Sequence, residues 1–342
     1  MQYGRSTMIG KMSSDLVPRP SMVDDEQLAI GHSHNGQPSL MTFYVKVLEL
    51  LEILVDVIEN ASLLSQGLEY FTSRDPYHVL FGGSNIDVFV ETLKLDQSMT
   101  AWAWSLPEHL NVGNLNSVAQ GENLIFRRQA HVLRSIYLHT RILLFRPILF
   151  CFCLGPAKQS QTISNSRADS WVNSQDSDLL PDHLALACAK LALRAAHDAI
   201  DHIYSHLDKM NVAGPVAQWW FCLLFTYSAA TVLQAARLRA LPSLDEHNRH
   251  DNQSAWDHAL EIIHAFDPLS PHAERCAFAL ETISDRVGQA ITPAKVTAAA
   301  ASDVVDPDLA TAATSATTGA GASTDDFDLS DIGWLMSAPT DL

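Results

Sequence analysis

Asp24, Asp25 and Glu26 stand side by side near the start of the chain, and His202 and His206 stand four apart in "AIDHIYSHL". Carboxylates share a magnesium ion when a helical turn puts them on one face. Three adjacent acids do not do this, and no second acidic motif answers them, so a solvated loop or helix-start cluster is expected. The histidine spacing does suit zinc, because positions i and i+4 lie on the same side of a helix. No Glu follows His202 directly, as a zinc-protease helix requires, and fifteen histidines make a chance pair easy. His247 and His250, in the loop sequence "EHNRHDN", fit less well. Cys151-Phe152-Cys153 lacks a second pair to complete a metal site, and buried thiols at a helix end are expected instead. There is no G-x-S-x-G, phosphate-binding glycine loop or dinucleotide fingerprint. No catalytic residue, metal ligand set or cofactor is assigned.

Two further sets could bind rather than react. Arg127, Arg134 and Arg141 recur every seven residues and share roughly one helix face. They could contact phosphates, but the formal charge is −17, of which the eight aspartates after Lys295 supply −8 and the first 295 residues −9. A charged face paired with acids is therefore expected, and no direct DNA binding. Near the end, "DDFDLSDIGWLM" interleaves aspartates with Phe327, Leu329, Ile332, Trp334, Leu335 and Met336. Acidic–hydrophobic alternation keeps apolar anchors in solvent for a partner groove, so these six are the candidate partner-binding residues, with Phe327, Trp334 and Leu335 as main anchors.

The elements that would position these groups read as helices almost throughout. In "FYVKVLELLEILVDVIEN", Lys46, Glu49, Glu52, Asp56 and Glu59 leave one solvated stripe and a wide buried face. Val88, Leu95, Met99 and Trp102 share a face of the next helix, which should stop by Leu106-Pro107. A long helix from about Glu122 is expected to be interrupted near Arg146-Pro147. An Ala-rich helix follows, into which a neighbour can pack closely. Pro215 suits the first turn of the next helix. The uncharged run Val216–Leu233 nears the length a bilayer requires, but no second such segment is seen, and a central helix enclosed by others is expected instead of a membrane span. Ser254 and Asp257 have capping-box spacing, and Ser270-Pro271 reads as a cap followed by a first-turn proline. Residues 155–178 read as a mobile polar loop, and from about residue 292 low-complexity Ala/Thr/Ser/Gly sequence cannot bury enough apolar surface to order itself. The expected architecture is all-α: a multi-helix regulatory domain over 1–291, then a disordered linker and acidic tail over 292–342. An odd cysteine count and no signal peptide in "MQYGRSTMIGKM" point to a reducing interior, not secretion.

In order along the chain, these segments resemble the regulatory middle region of fungus-specific transcription factors of the binuclear zinc-cluster class. "MQYGRSTMIG" is similar to the family's Tyr-Gly-Arg-Pro segment, with Ser6 in place of proline, and "PRPSMVDDEQL" (18–28) to its Pro then Asp-Asp-Glu segment. Asp96, Trp102, Leu106, Pro107 and Leu110 fit its "W…LP..L" pattern, and "RQAHVLRSIYLHTRILLFRPIL" (128–149), with Tyr137 and Arg146-Pro147, is the most specific match. "CAKLALRAAHDAI", Trp219-Trp220 before "YSAATVL", and "AERCAFAL" fit the later helices, so the likeness runs from about residue 3 to 288. The six closely spaced cysteines that hold two zinc ions in the family's DNA-reading module are absent from this chain. The sequence therefore resembles the C-terminal part of such a factor.

The resemblance implies a transcriptional regulator, in the nucleus, of metabolic genes such as a secondary-metabolite cluster. It implies a helical domain that takes a small-molecule effector or a second copy as partner, and a tail that recruits co-activators or transcription machinery. The first alternative is a regulator without DNA binding that acts through a complete factor, or a remnant. The second is an all-α enzyme, for which the acid, base and metal sets above are missing. Arg127-Arg128, the only adjacent basic pair, is expected on a structural helix.

Overall fold

The computed structural model describes residues 18–24, 38–69, 86–113, 124–154, 179–207, 218–238 and 248–302. Among them are seven α-helices and no strand: α1 (Leu40–Glu69), α2 (Ile86–Trp104), α3 (Leu124–Leu154), α4 (Leu179–Tyr204), α5 (Trp219–Leu238), α6 (Asn248–Ala265) and α7 (Pro271–Ser302). A 3-10 turn, Glu108–Leu110, follows α2. The all-α expectation holds.

Helices α3 and α5 are the axes of the bundle. Every residue of α5 from Cys222 to Ala236 is buried, so this helix is apolar all round because other helices surround it. It packs on α3, α4, α6 and α7, while α3 also carries α1 and α2. Ala185, Ala189, Ala192, Ala196 and Ala199 are all buried in α4. Side chains this small let α3 and α5 approach closely, as the alanine content foretold. Contrary to the sequence reading, α3 is a second helix long and apolar enough to cross a membrane. In both α3 and α5, 83% of the apolar window is buried inside the fold, as in the core helices of a globular protein.

Helix α3 also runs through Pro147 without the expected interruption. An interior proline costs about 3 kcal/mol through its missing N–H and ring clash. The residues just beyond it, Ile148, Leu149 and Phe150, are almost wholly enclosed, and each such side chain contributes about 1.5–3 kcal/mol on burial. Packing outweighs the local preference. Cys151 and Cys153 are buried at the end of this helix, and all five cysteines of the chain are buried.

The motif residues that carry the family likeness join helices to one another. Asp24 accepts hydrogen bonds from Ser39 Oγ at 2.7 Å and from the Leu40 and Met41 amides at 3.2 and 3.1 Å. It thus caps the start of α1 from outside the helix, where orphan amides and the helix dipole favour an anion. Arg19 pairs with Glu49 and Glu52 of α1. Trp102 of α2 donates its indole N–H to the Lys46 carbonyl at 3.1 Å and stacks on Tyr137 of α3 with centroids 5.9 Å apart. Lys46 is not part of a solvated stripe: it is buried, with Nζ 2.9 Å from both Glu49 and Ser105 Oγ. A long aliphatic stem lets its amine reach partners at the edge of the core.

Helix α2 stops at Trp104, before Leu106-Pro107 as expected. Ser270 accepts the His272 amide at 3.2 Å, and Pro271 opens α7, also as expected. Ser254 is not a cap, because α6 starts earlier, at Asn248. Helix α7 runs to Ser302, past the point where low-complexity sequence begins; alanine, which fills much of 294–301, has the highest helix propensity. Pro215 and the loop 155–178 lie outside the described residues.

Candidate effector pocket

A cavity of about 730 Å³ opens between α1, the first half of α3 and the start of α5. That size lies within the usual range for small-molecule sites, roughly 300–1,000 Å³. Helix α1 contributes Phe43, Tyr44, Val47, Leu51 and Leu54, and α5 contributes Phe221, Leu224 and Phe225. Helix α3 lines it with Arg128, Gln129, Val132, Ile136 and His139, at steps of three and four that place them on one side of a helix.

The walls are aromatic and aliphatic, with few polar groups. Phe221 and Phe225 lie 5.7 Å apart, and Phe225 stacks on the His139 ring at 4.4 Å. Phe43 meets Tyr44 edge to face at 5.3 Å, and Tyr44 is exposed. Arg128 is exposed, and Gln218 lies just before α5. Two polar atoms of lining residues are buried without a hydrogen-bond partner, Gln129 Oε1 and His139 Nδ1. Leaving such atoms unpaired costs about 1–3 kcal/mol each, so a ligand that pairs them gains affinity. Burial, then the nearby Arg146 charge, pushes the His139 pKa down to about 3, so it is neutral at physiological pH. The site can receive a mostly apolar, flat or chain-like molecule with one or two hydrogen-bonding groups. No carboxylate or thiol is among its lining residues to act as base or nucleophile.

The sequence reading did not assemble this site. Its lining residues come from three separated segments, and in each they read as ordinary core positions. Gln129 and His139, polar residues in a buried stretch of α3, were the available signal.

Two arginines of the stripe pair with acids on neighbouring helices. Arg141 reaches Asp96 of α2 at 3.0 Å, and Arg134 reaches Asp198 of α4 at 3.5 Å. Both guanidinium groups also lie within 6 Å of the Tyr137 ring centre, at 5.9 and 5.7 Å. Arg127 and Arg128 are exposed near the start of α3. His202 in the last turn of α4 and His206 in the turn just beyond it do come together, and the fold brings His131 of α3 to them, which the sequence reading missed because a neighbouring helix supplies it. The tail residues Phe327, Leu329, Ile332, Trp334, Leu335 and Met336 lie outside the described residues, as does His247, while His250 falls in the first turn of α6 and not in the loop expected for it.

The fold and pocket define a class: an all-helical bundle built around two buried helices, with a ligand-sized cavity on one flank. The chain is similar to named fungal transcription factors. It is 24% identical over 265 residues to the sorbicillinoid biosynthetic cluster transcription factor sor3 of Hypocrea jecorina, covering 73% of this chain and 35% of that protein. It is 23% identical over 287 residues to the sorbicillinoid biosynthetic cluster transcription factor 2 of Penicillium rubens, covering 82% of this chain and 36% of the other. With the transcription factor FBD3 of Fusarium pseudograminearum the identity is 26% over 256 residues, 70% of this chain and 32% of that one. The chain thus spans about a third of the length of the curated relatives it matches. No family model matches the chain, and no solved structure does.

Proposed function

We propose that this chain is the C-terminal regulatory part of a fungal transcriptional regulator. The observation that carries the reading is its similarity to three named transcription factors across 70–82% of its own length. Two of those relatives are named for a biosynthetic gene cluster, which supports control of metabolic genes, in the nucleus, as the finer reading. The helical domain, up to about residue 291, takes a small, largely apolar effector between α1, α3 and α5. Its aromatic walls and unpaired Gln129 and His139 atoms support that role. The segment beyond α7 acts as a linker and acidic activation tail that recruits co-activators or transcription machinery.

Residues 296–342 fused to a heterologous DNA-binding module should activate a reporter gene. Replacing Phe327, Trp334 and Leu335 by Ala, with every aspartate kept, should abolish that activation, because apolar anchors and not charge carry the contact. A fusion no more active than the bare module sinks the tail assignment, and an undiminished triple variant sinks the anchor assignment.

A further inference from the structure

We propose that His131, His202 and His206 form a binding site for a borderline divalent transition metal, zinc in the first instance, that ties α3 to the end of α4. One ring nitrogen of each histidine lies within 4.8 Å of one from each of the others. The ring centroids are 4.1 Å apart for His131–His206, 5.3 Å for His131–His202 and 5.2 Å for His202–His206. Ligand nitrogens on a tetrahedral zinc, at Zn–N of about 2.1 Å, sit about 3.4 Å from one another. His202 and His206 are only partly buried, so side-chain rotation can close the remaining distance.

The hydrogen bonds outside the cluster set the tautomers that a metal needs. His202 Nε2 lies 3.2 Å from the His131 carbonyl, and His206 Nδ1 lies 2.8 Å from the His202 carbonyl. A carbonyl can only accept, and Ser205 Oγ, 2.9 Å from His206 Nδ1, donates its own proton to the His202 carbonyl at 3.2 Å, so the proton is assigned to each of these nitrogens and His202 Nδ1 and His206 Nε2 keep their lone pairs. A backbone carbonyl that accepts from one ring nitrogen and so fixes the imidazole is the usual arrangement around a metal-bound histidine. His131 is buried, and neither of its ring nitrogens has a hydrogen-bond partner. The buried His131 ring therefore offers a lone pair that no donor satisfies, beside the two ring nitrogens that His202 and His206 bring to the cluster, and a cation among them satisfies it.

Arg127 and Arg134 oppose a second positive charge here, and Asp198 partly neutralises Arg134. An all-imidazole set with no carboxylate selects zinc, copper, cobalt or nickel over magnesium or calcium. The site stands apart from the effector pocket, because none of its three histidines lines that cavity.

The test is titration of the chelator-treated full chain with ZnCl₂ against a chromophoric chelator, together with visible spectra on CoCl₂. One equivalent of zinc should bind with micromolar or tighter affinity, and cobalt should show the intense bands of a four-coordinate site. His202→Gln with His206→Gln, both at partly exposed positions, removes two of the three ligands and should lower affinity by more than the roughly 10–100-fold that losing one partner of a ligand costs, while helical circular dichroism stays unchanged. His264→Asn, elsewhere on the surface, should leave zinc binding intact. No stoichiometric zinc in the wild-type chain overturns the proposal, and so does a double variant that binds as tightly as wild type.

Discussion

The two halves of helix α3 have different compositions and different work. From Ile142 to Cys153 the helix is apolar apart from Arg146, and nearly every side chain is enclosed. From Arg128 to Arg141 it carries Gln129, His131 and His139, whose buried ring or amide atoms include several without a partner. The first pattern is that of a core built for stability, where close packing dominates. The second leaves polar capacity unspent beside one cavity and one histidine cluster. A single helix thus anchors the fold with one half and offers binding groups with the other.

The contrast breaks most sharply in the packed half. Phe145→Ala, at a side chain 1% exposed, should lower unfolding free energy by about 3–5 kcal/mol, read as a fall in the urea midpoint. A loss no larger than that of a surface substitution would mean the two halves do not differ as described.

Acid should act on the other half. The folded pKa values of His131 and His139 are near 3 and that of His202 near 4, whereas all three titrate near 6.5 when exposed. Between about 3 and 6.5 the unfolded chain therefore binds more protons than the folded one. Stability is full above that window and falls as pH drops through it. Urea midpoints from pH 7 to pH 4.5 should decline, and His202→Gln should flatten the decline without changing its direction. An equal slope in that variant would remove His202 from the account.

The smallest effect on stability is expected inside the pocket. Val132→Trp places an indole where there is already space, so it should cost less than the 1–3 kcal/mol typical of overpacking a filled core. Thermal melting checks this, and a loss as large as that from Phe145→Ala would show that the cavity is not open.

Most of the helices were legible because periodicity reports burial directly: the α5 run, the Ala face of α4 and the Ser270-Pro271 start of α7 all came from residue spacing. Pro147 was misread because a local penalty was weighed without the packing of Ile148 to Phe150 that overrides it. Lys46 was misread for a similar reason, since a charged type in a helical stripe does not reveal that Ser105 and Glu49 wait to receive it. The binding groups were least legible. His131 meets His202 across 71 residues, and the pocket takes its walls from three segments, so no local spacing marks either.

The central claim is that this helical chain regulates transcription through an effector held against α3. The most direct measurement joins residues 1–342 to a heterologous DNA-binding module and compares reporter output for wild type and Val132→Trp in a fungal host. Output from the wild-type fusion should differ from that of the module alone, and Val132→Trp, folded but with an indole obstructing its pocket, should change it. Wild-type output equal to the bare module would contradict the regulatory assignment, and equal output from the two fusions would contradict the role of the pocket.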